Sequence, residues 1–171
     1  MGIEDPGILG YFGRNVSSLQ VIDLSNNSLK SIDLLPLEDA INLYSLSLAD
    51  NSLSRVDLVP LSGLPYLSLL RLSGNEIKEI DLCPLSKCPE LRILELQENC
   101  LNSIDISPLC ECDKLKRLWV YSNRIKRIDL PTLGKFSGLK EIRIYDNRIR
   151  GVDLESIEDF ARRNREVQVL Y

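Results

Sequence analysis

Three sets of residues in this chain have types and spacings that could do chemistry. Asp33, Asp57, Asp81, Asp105, Asp129 and Asp153 fall every 24 residues, and carboxylates at a fixed repeat are the raw material of a hard-cation site. Cys83, Cys88, Cys110 and Cys112 supply four thiols, the number a structural zinc takes. Trp119, Arg143, Tyr121 and Tyr145 form two pairs at the same 24-residue offset, with the composition of an interface anchor. A catalytic set is missing. The chain has no histidine, so no Ser–His or Cys–His pair, and it carries no glycine-rich phosphate loop. No enzyme is expected here.

The first two sets read as structure. Each aspartate follows Ile or Val and precedes Leu or Ile, so it points outward, where its carboxylate can accept backbone N–H groups of the following turn. Lys30, Arg55, Lys78, Lys126, Arg127 and Arg150 lie just upstream and offset the charge. One carboxylate per turn beside a cation is a poor calcium cage. Cys88 and Cys112 share a repeat column with Ala40, Leu64, Phe136 and Phe160, which is the company of a buried small hydrophobe. No metal and no cofactor are expected.

What must position these residues is a repeat. Leu19, Leu43, Leu67, Leu91, Leu115 and Leu139 open six copies, and eight residues into each comes Asn27, Asn51, Asn75, Asn99, Asn123 or Asn147. Such register marks a solenoid with one turn per copy. In the third copy Leu70 and Leu72 alternate with Arg71 as a short strand with one buried face. Asn75 sits where the chain turns, and its amide can bond backbone groups that the turn leaves unpaired. Ile77, Ile80 and Leu82 bury the return path. Pro84 and Leu85 open a helical segment, since proline is tolerated in a first turn.

The pattern LxxLxLxxNxLxxIDLxPL resembles the leucine-rich repeat, over Leu19 to about Asn164. The resemblance implies an α/β fold: a right-handed horseshoe solenoid, with a concave parallel sheet and convex 3₁₀ or short helical segments. Residues 1–18 are expected to be a cap or partial repeat. Residues 19–164 hold six repeats and 165–171 a terminal strand, all in one domain. In the capping segment Ile8, Leu9 and Phe12, within a helical Pro6–Arg14, would cover the open end; alternatively the array begins further upstream. The sixth copy carries a true helix over Ser156 to Asn164. Its last strand, Glu166–Leu170, is placed 25 residues after its counterpart.

Composition bounds the setting. Apolar residues make up 44% of the 171 but come in short pieces, never the ~18 in a row of a membrane span. The N-terminus lacks the basic-then-apolar profile of a signal peptide, and five cysteines without one favour a reducing compartment. An intracellular, cytoplasmic chain is expected, with a nuclear location also compatible, and with no membrane or small-molecule partner.

Function then falls to the positions that the repeat leaves free. Third, fifth and seventh strand positions face the concave side. The first copies put small residues there and the last copies large ones. The chain's single Trp, Trp119, is expected to stand exposed among Arg117, Tyr121, Arg143 and Tyr145. Leu69 and Ile93 extend the site as an apolar strip, with Arg71 and Glu95 beside them. Lys116, Arg124, Lys140 and Arg148 form a rim. Residues 114–151 hold eleven basic side chains against three acidic ones, inside a chain of net charge −4.

The expectation is a monomeric protein–protein interaction scaffold that binds an acidic segment of another protein. Nucleic acid is the alternative, with Trp119, Tyr121 and Tyr145 stacking on bases and arginines on phosphates. A repeat segment without a partner of its own is the third reading.

Overall fold

The computed structural model of the chain describes residues 7–128, 132, 135–149, 159–162 and 168–170, without the side chains of residues 11, 12 and 14. Several expectations lie outside that set: Pro6, Asp129, Asp153, the start of the sixth-copy helix at Ser156, and the start of the last strand at Glu166.

Each described copy contributes one three-residue strand: β1 (Val21–Asp23), β2 (Ser45–Ser47), β3 (Leu69–Arg71), β4 (Ile93–Glu95), β5 (Arg117–Trp119), β6 (Glu141–Arg143) and β7 (Gln168–Leu170). They pair in chain order, all parallel, in one seven-stranded sheet. The register is the repeat itself, running Ile22, Leu46, Leu70, Leu94, Leu118, Ile142 across the sheet. A slip of one residue would turn the apolar side chains outward, so the leucine pattern fixes the pairing.

The return paths are 3₁₀ turns: η2 (Leu35–Leu37), η3 (Val59–Leu61), η4 (Cys83–Lys87) and η5 (Ser107–Glu111). Each has proline in its first two positions, where a missing N–H costs nothing. Asp33, Asp57, Asp81 and Asp105 cap them. Their Oδ1 atoms accept the backbone N–H of Leu35, Val59, Cys83 and Ser107 at 2.9 Å. That bond draws the carboxyls of Asp81 and Asp105 below the usual range. The four described aspartates of the column are therefore caps, as the sequence suggested.

The asparagine ladder ties coil to coil. Asn75 Nδ2 donates to Leu72 O and Ser73 O in its own coil and to Leu48 O in the coil before, and its Oδ1 accepts Leu53 N–H. Asn51, Asn99, Asn123 and Asn147 repeat the arrangement. The residue before each asparagine carries positive φ, from 50° to 63° at Asn26, Asp50, Gly74, Glu98, Ser122 and Asp146. That bend aims the amide inward.

The core runs the length of the array, with Leu43, Leu46, Leu48, Leu53, Leu58 and Leu61 fully buried in one coil alone. Cys88 and Cys112 lie in it, each thiol donating to the carbonyl one coil back, Leu61 O and Leu85 O, at 3.2 Å. Burial pushes the Cys112 thiol up to about 12. At the start of the chain η1 (Ile8–Ser18) is a 3₁₀ segment that buries Leu9 and Val16 against the first coil.

The last coil departs from expectation. β7 pairs Glu141 with Gln168 and Ile142 with Val169, a step of 27 residues rather than 25. Residues 159–162 are α-helical, and an α-helix advances ~1.5 Å per residue against ~2.0 Å for 3₁₀, so this coil uses more chain to return. No helix among the described residues is long and apolar enough to cross a membrane.

Candidate functional site

Strand alternation puts the fourth residue of each copy into the core and the third and fifth on the sheet's outer face. Adjacent strands then stack these residues about 4.8 Å apart. The fifth column runs Asp23, Ser47, Arg71, Glu95, Trp119, Arg143. It is paired along its length. Arg71 Nε lies 3.2 Å from Glu95 Oε2, and the Arg143 guanidinium covers the Trp119 ring, 4.4 Å from its centroid. Glu141, in the third column, holds Arg143 at 2.5 Å and Arg117 at 3.6 Å.

The seventh column ends in a stacked pair. The rings of Tyr121 and Tyr145 lie 4.5 Å apart and 11° from parallel. Loss of water raises the Tyr121 hydroxyl pKa, with the neighbouring Tyr145 adding to it. Small side chains fill the opposite end, where Ser45, Ser47 and Ala49 are buried.

The structure gathers the expected residues into one face with three differences. Trp119 is half-buried rather than exposed, because Arg143 lies on it. Glu95 is 8% exposed, its carboxylate held by Arg71. Arg71, Arg117 and Arg143 share the two carboxylates of Glu95 and Glu141, so the free positive charge is smaller than a count of arginines implies. Leu69 and Ile93 are half-buried neighbours in the third column.

The rim is where unpaired cations remain. Lys116, Arg124 and Arg148 are exposed and form no ion pair among the described residues. Lys140 is exposed on the same side as Lys116. Arg124 and Arg148 follow Tyr121 and Tyr145 by three residues, so the two tyrosines and two arginines repeat one coil apart. Asp146 stands beside them and accepts Ser122 Oγ–H at 3.4 Å, a contact that the sequence pattern did not single out. Gln97, next to Tyr121 in the seventh column, was also not singled out: its Oε1 and the Trp119 Nε1 are buried with no hydrogen-bond partner among the described residues.

Comparison with known proteins agrees with this architecture. Residues 18–39 and residues 41–101 each match a leucine-rich-repeat family model. No curated protein matches the chain. Among solved structures, a leucine-rich-repeat protein of Leptospira interrogans superposes with a TM-score of 0.83 at 22% identity, over 100% of this chain and 40% of its own. An internalin from Listeria monocytogenes gives 0.74 at 22% identity, over 99% of this chain and 44% of its own. The chain thus spans less than half the length of either, and at this identity they share its fold.

Proposed function

We propose that this chain, which is built of leucine-rich repeats, is an interaction scaffold whose sheet face binds an acidic segment of a partner protein at its C-terminal coils. The observation that carries the reading is the preformed platform. Arg143 on Trp119 and Tyr121 on Tyr145 hold four large side chains in place before any partner arrives. Ordering such side chains on binding costs about 0.5–1.5 kcal/mol each, and here the fold has already met most of that cost. Around the platform Lys116, Arg124 and Arg148, without an ion pair among the described residues, offer their charges to carboxylates. Seven strands at ~4.8 Å span about 29 Å, long enough to supply the ~800 Å² per side of a standard interface.

Nucleic acid is the weaker reading. Bases stack on open aromatic faces, and the Tyr121–Tyr145 stack and the Arg143 cover already take one face of each of these rings. Glu95 and Glu141 also stand within the platform. The test is affinity capture with the wild type, with Trp119→Ala/Tyr121→Ala, and with Arg124→Glu/Arg148→Glu, each with and without nuclease. The scaffold reading expects one captured protein that both double variants lose and nuclease leaves. Capture abolished by nuclease replaces the protein partner with nucleic acid.

A further inference from the structure

Stacking the coils also assembles a flank, on the side where the strands begin, that is separate from the sheet face. Second-position residues line it one coil apart. The N–H groups of Tyr44 and Ser45 both donate to Gln20 O, those of Arg92 and Ile93 to Ser68 O, those of Lys116 and Arg117 to Arg92 O, and those of Lys140 and Glu141 to Lys116 O. The flank changes character along its length. At the N-terminal coils Ile41 is 53% exposed, Tyr44 52% and Tyr66 56%, and Glu38 and Asp39 are exposed nearby. At the C-terminal coils it presents Lys114, Lys116 and Lys140. Between them Glu90 bonds both Lys114 and Arg92, the latter at 3.2 Å.

This layout is self-complementary. Half a turn about an axis through Glu90 and Arg92 places Tyr66 against Lys114 of a second copy, and Tyr44 against Lys140 of that copy. The same operation lets Glu90 reach across to the other Arg92. Each tyrosine then meets an ammonium and its aliphatic stem, a pairing favourable both as cation–π contact and as apolar burial. Three large apolar side chains more than half exposed on one flank are also what a covered surface leaves when its partner is removed. We infer that two copies of this chain associate antiparallel through this flank. The interface is isologous; it takes up Lys140 of the rim and leaves Trp119, Tyr121, Arg124 and Arg148 of both copies outside it. The sequence reading expects a monomer because these columns are recognisable only after the coils are stacked. From Tyr44 to Lys140 the contact runs four coils, about 19 Å at ~4.8 Å per coil, shorter than the full sheet face, so the dimer depends on protein concentration.

Sedimentation equilibrium tests this directly, across a wide concentration range at low and moderate salt. The wild type is expected to rise toward twice the monomer mass at high concentration, and less so in salt. Tyr44→Ser/Tyr66→Ser and Lys114→Glu/Lys140→Glu, all at exposed positions, stay at the monomer mass with unchanged circular dichroism. Mixing those two variants restores part of the association, because one of the two symmetric contacts is then intact. Trp119→Ala associates like the wild type. A wild type that stays monomeric throughout, a dimer that both double variants retain, or one that Trp119→Ala dissolves would each overturn the inference.

Discussion

The guanidinium of Arg143 lies 4.4 Å from the centre of the Trp119 indole, while Glu141 holds the same group at 2.5 Å. Three side chains on two neighbouring strands thus contact one another where the largest side chains of the sheet face stand.

Removing that cover has an optical consequence. Trp119 is the chain's one tryptophan, so its emission reports this site alone. Arg143→Ala opens the ring to water, and a red shift of the emission is expected. The loss of stability should be about 1 kcal/mol, in the range of an exposed to partly desolvated cation–π contact. An unshifted spectrum would mean that the ring is already as wet in the wild type.

The buried asparagines of the ladder should be highly sensitive to substitution. Asn75→Ala deletes three donated bonds and leaves the Leu53 N–H without its acceptor inside the core. A destabilisation of roughly 2–4 kcal/mol is expected, since a buried unsatisfied group costs ~1–3 kcal/mol by itself. Denaturant titration measures it, and a loss below half a kcal/mol would show that the coils are not held together by this amide.

Two glycines make a paired control. A Cβ built on Gly138 would sit 2.2 Å from the Asp113 carbonyl oxygen in the coil before, whereas one on Gly10 meets nothing within 4 Å. Gly138→Ala must push the coils apart, at a cost of roughly 1–3 kcal/mol as for other overpacked sites. Gly10→Ala should be close to neutral. Thermal melts showing equal effects would contradict the close stacking of the fourth and fifth coils.

The aspartate caps predict an acid dependence. Asp81 and Asp105 have folded-state pKa values lowered by the backbone N–H bonds of Cys83 and Ser107. A lowered value stabilises the fold in full above the unfolded pKa of about 3.9, and that contribution is lost as pH falls through the folded value. The stability gap between the wild type and Asp81→Ala/Asp105→Ala should therefore be largest at neutral pH and shrink as the pH falls below about 4. Urea titrations at several pH values test this, and a gap that widens on acidification would reverse the sign.

The fold was readable in the sequence because each copy repeats the same local necessities. Leucines at strand positions, an asparagine at the bend and an aspartate before the 3₁₀ turn each answer a backbone requirement that recurs every coil. Leu46, Leu70, Leu94 and Leu118 came out in register for that reason. The last coil escaped the pattern because residues 159–162 are α-helical and lengthen it to 27 residues. The face was readable as a set of columns but not as a set of contacts. That Arg143 would lie on Trp119, or that Glu141 would take both Arg117 and Arg143, depends on rotamers that spacing does not encode. Charge counted along the chain therefore overstated the free charge at the platform. The flank carrying Tyr44, Tyr66, Lys116 and Lys140 was hidden for a simpler reason: its members alternate with strand residues and share no motif.

The central claim is that the C-terminal end of the sheet face binds an acidic protein segment, and affinity capture with Trp119→Ala/Tyr121→Ala and Arg124→Glu/Arg148→Glu tests it most directly. The account predicts that a nuclease-resistant partner is retained by the wild type and lost from both variants, with the charge reversal weakening capture most at low salt. Capture unchanged in both folded variants would contradict it.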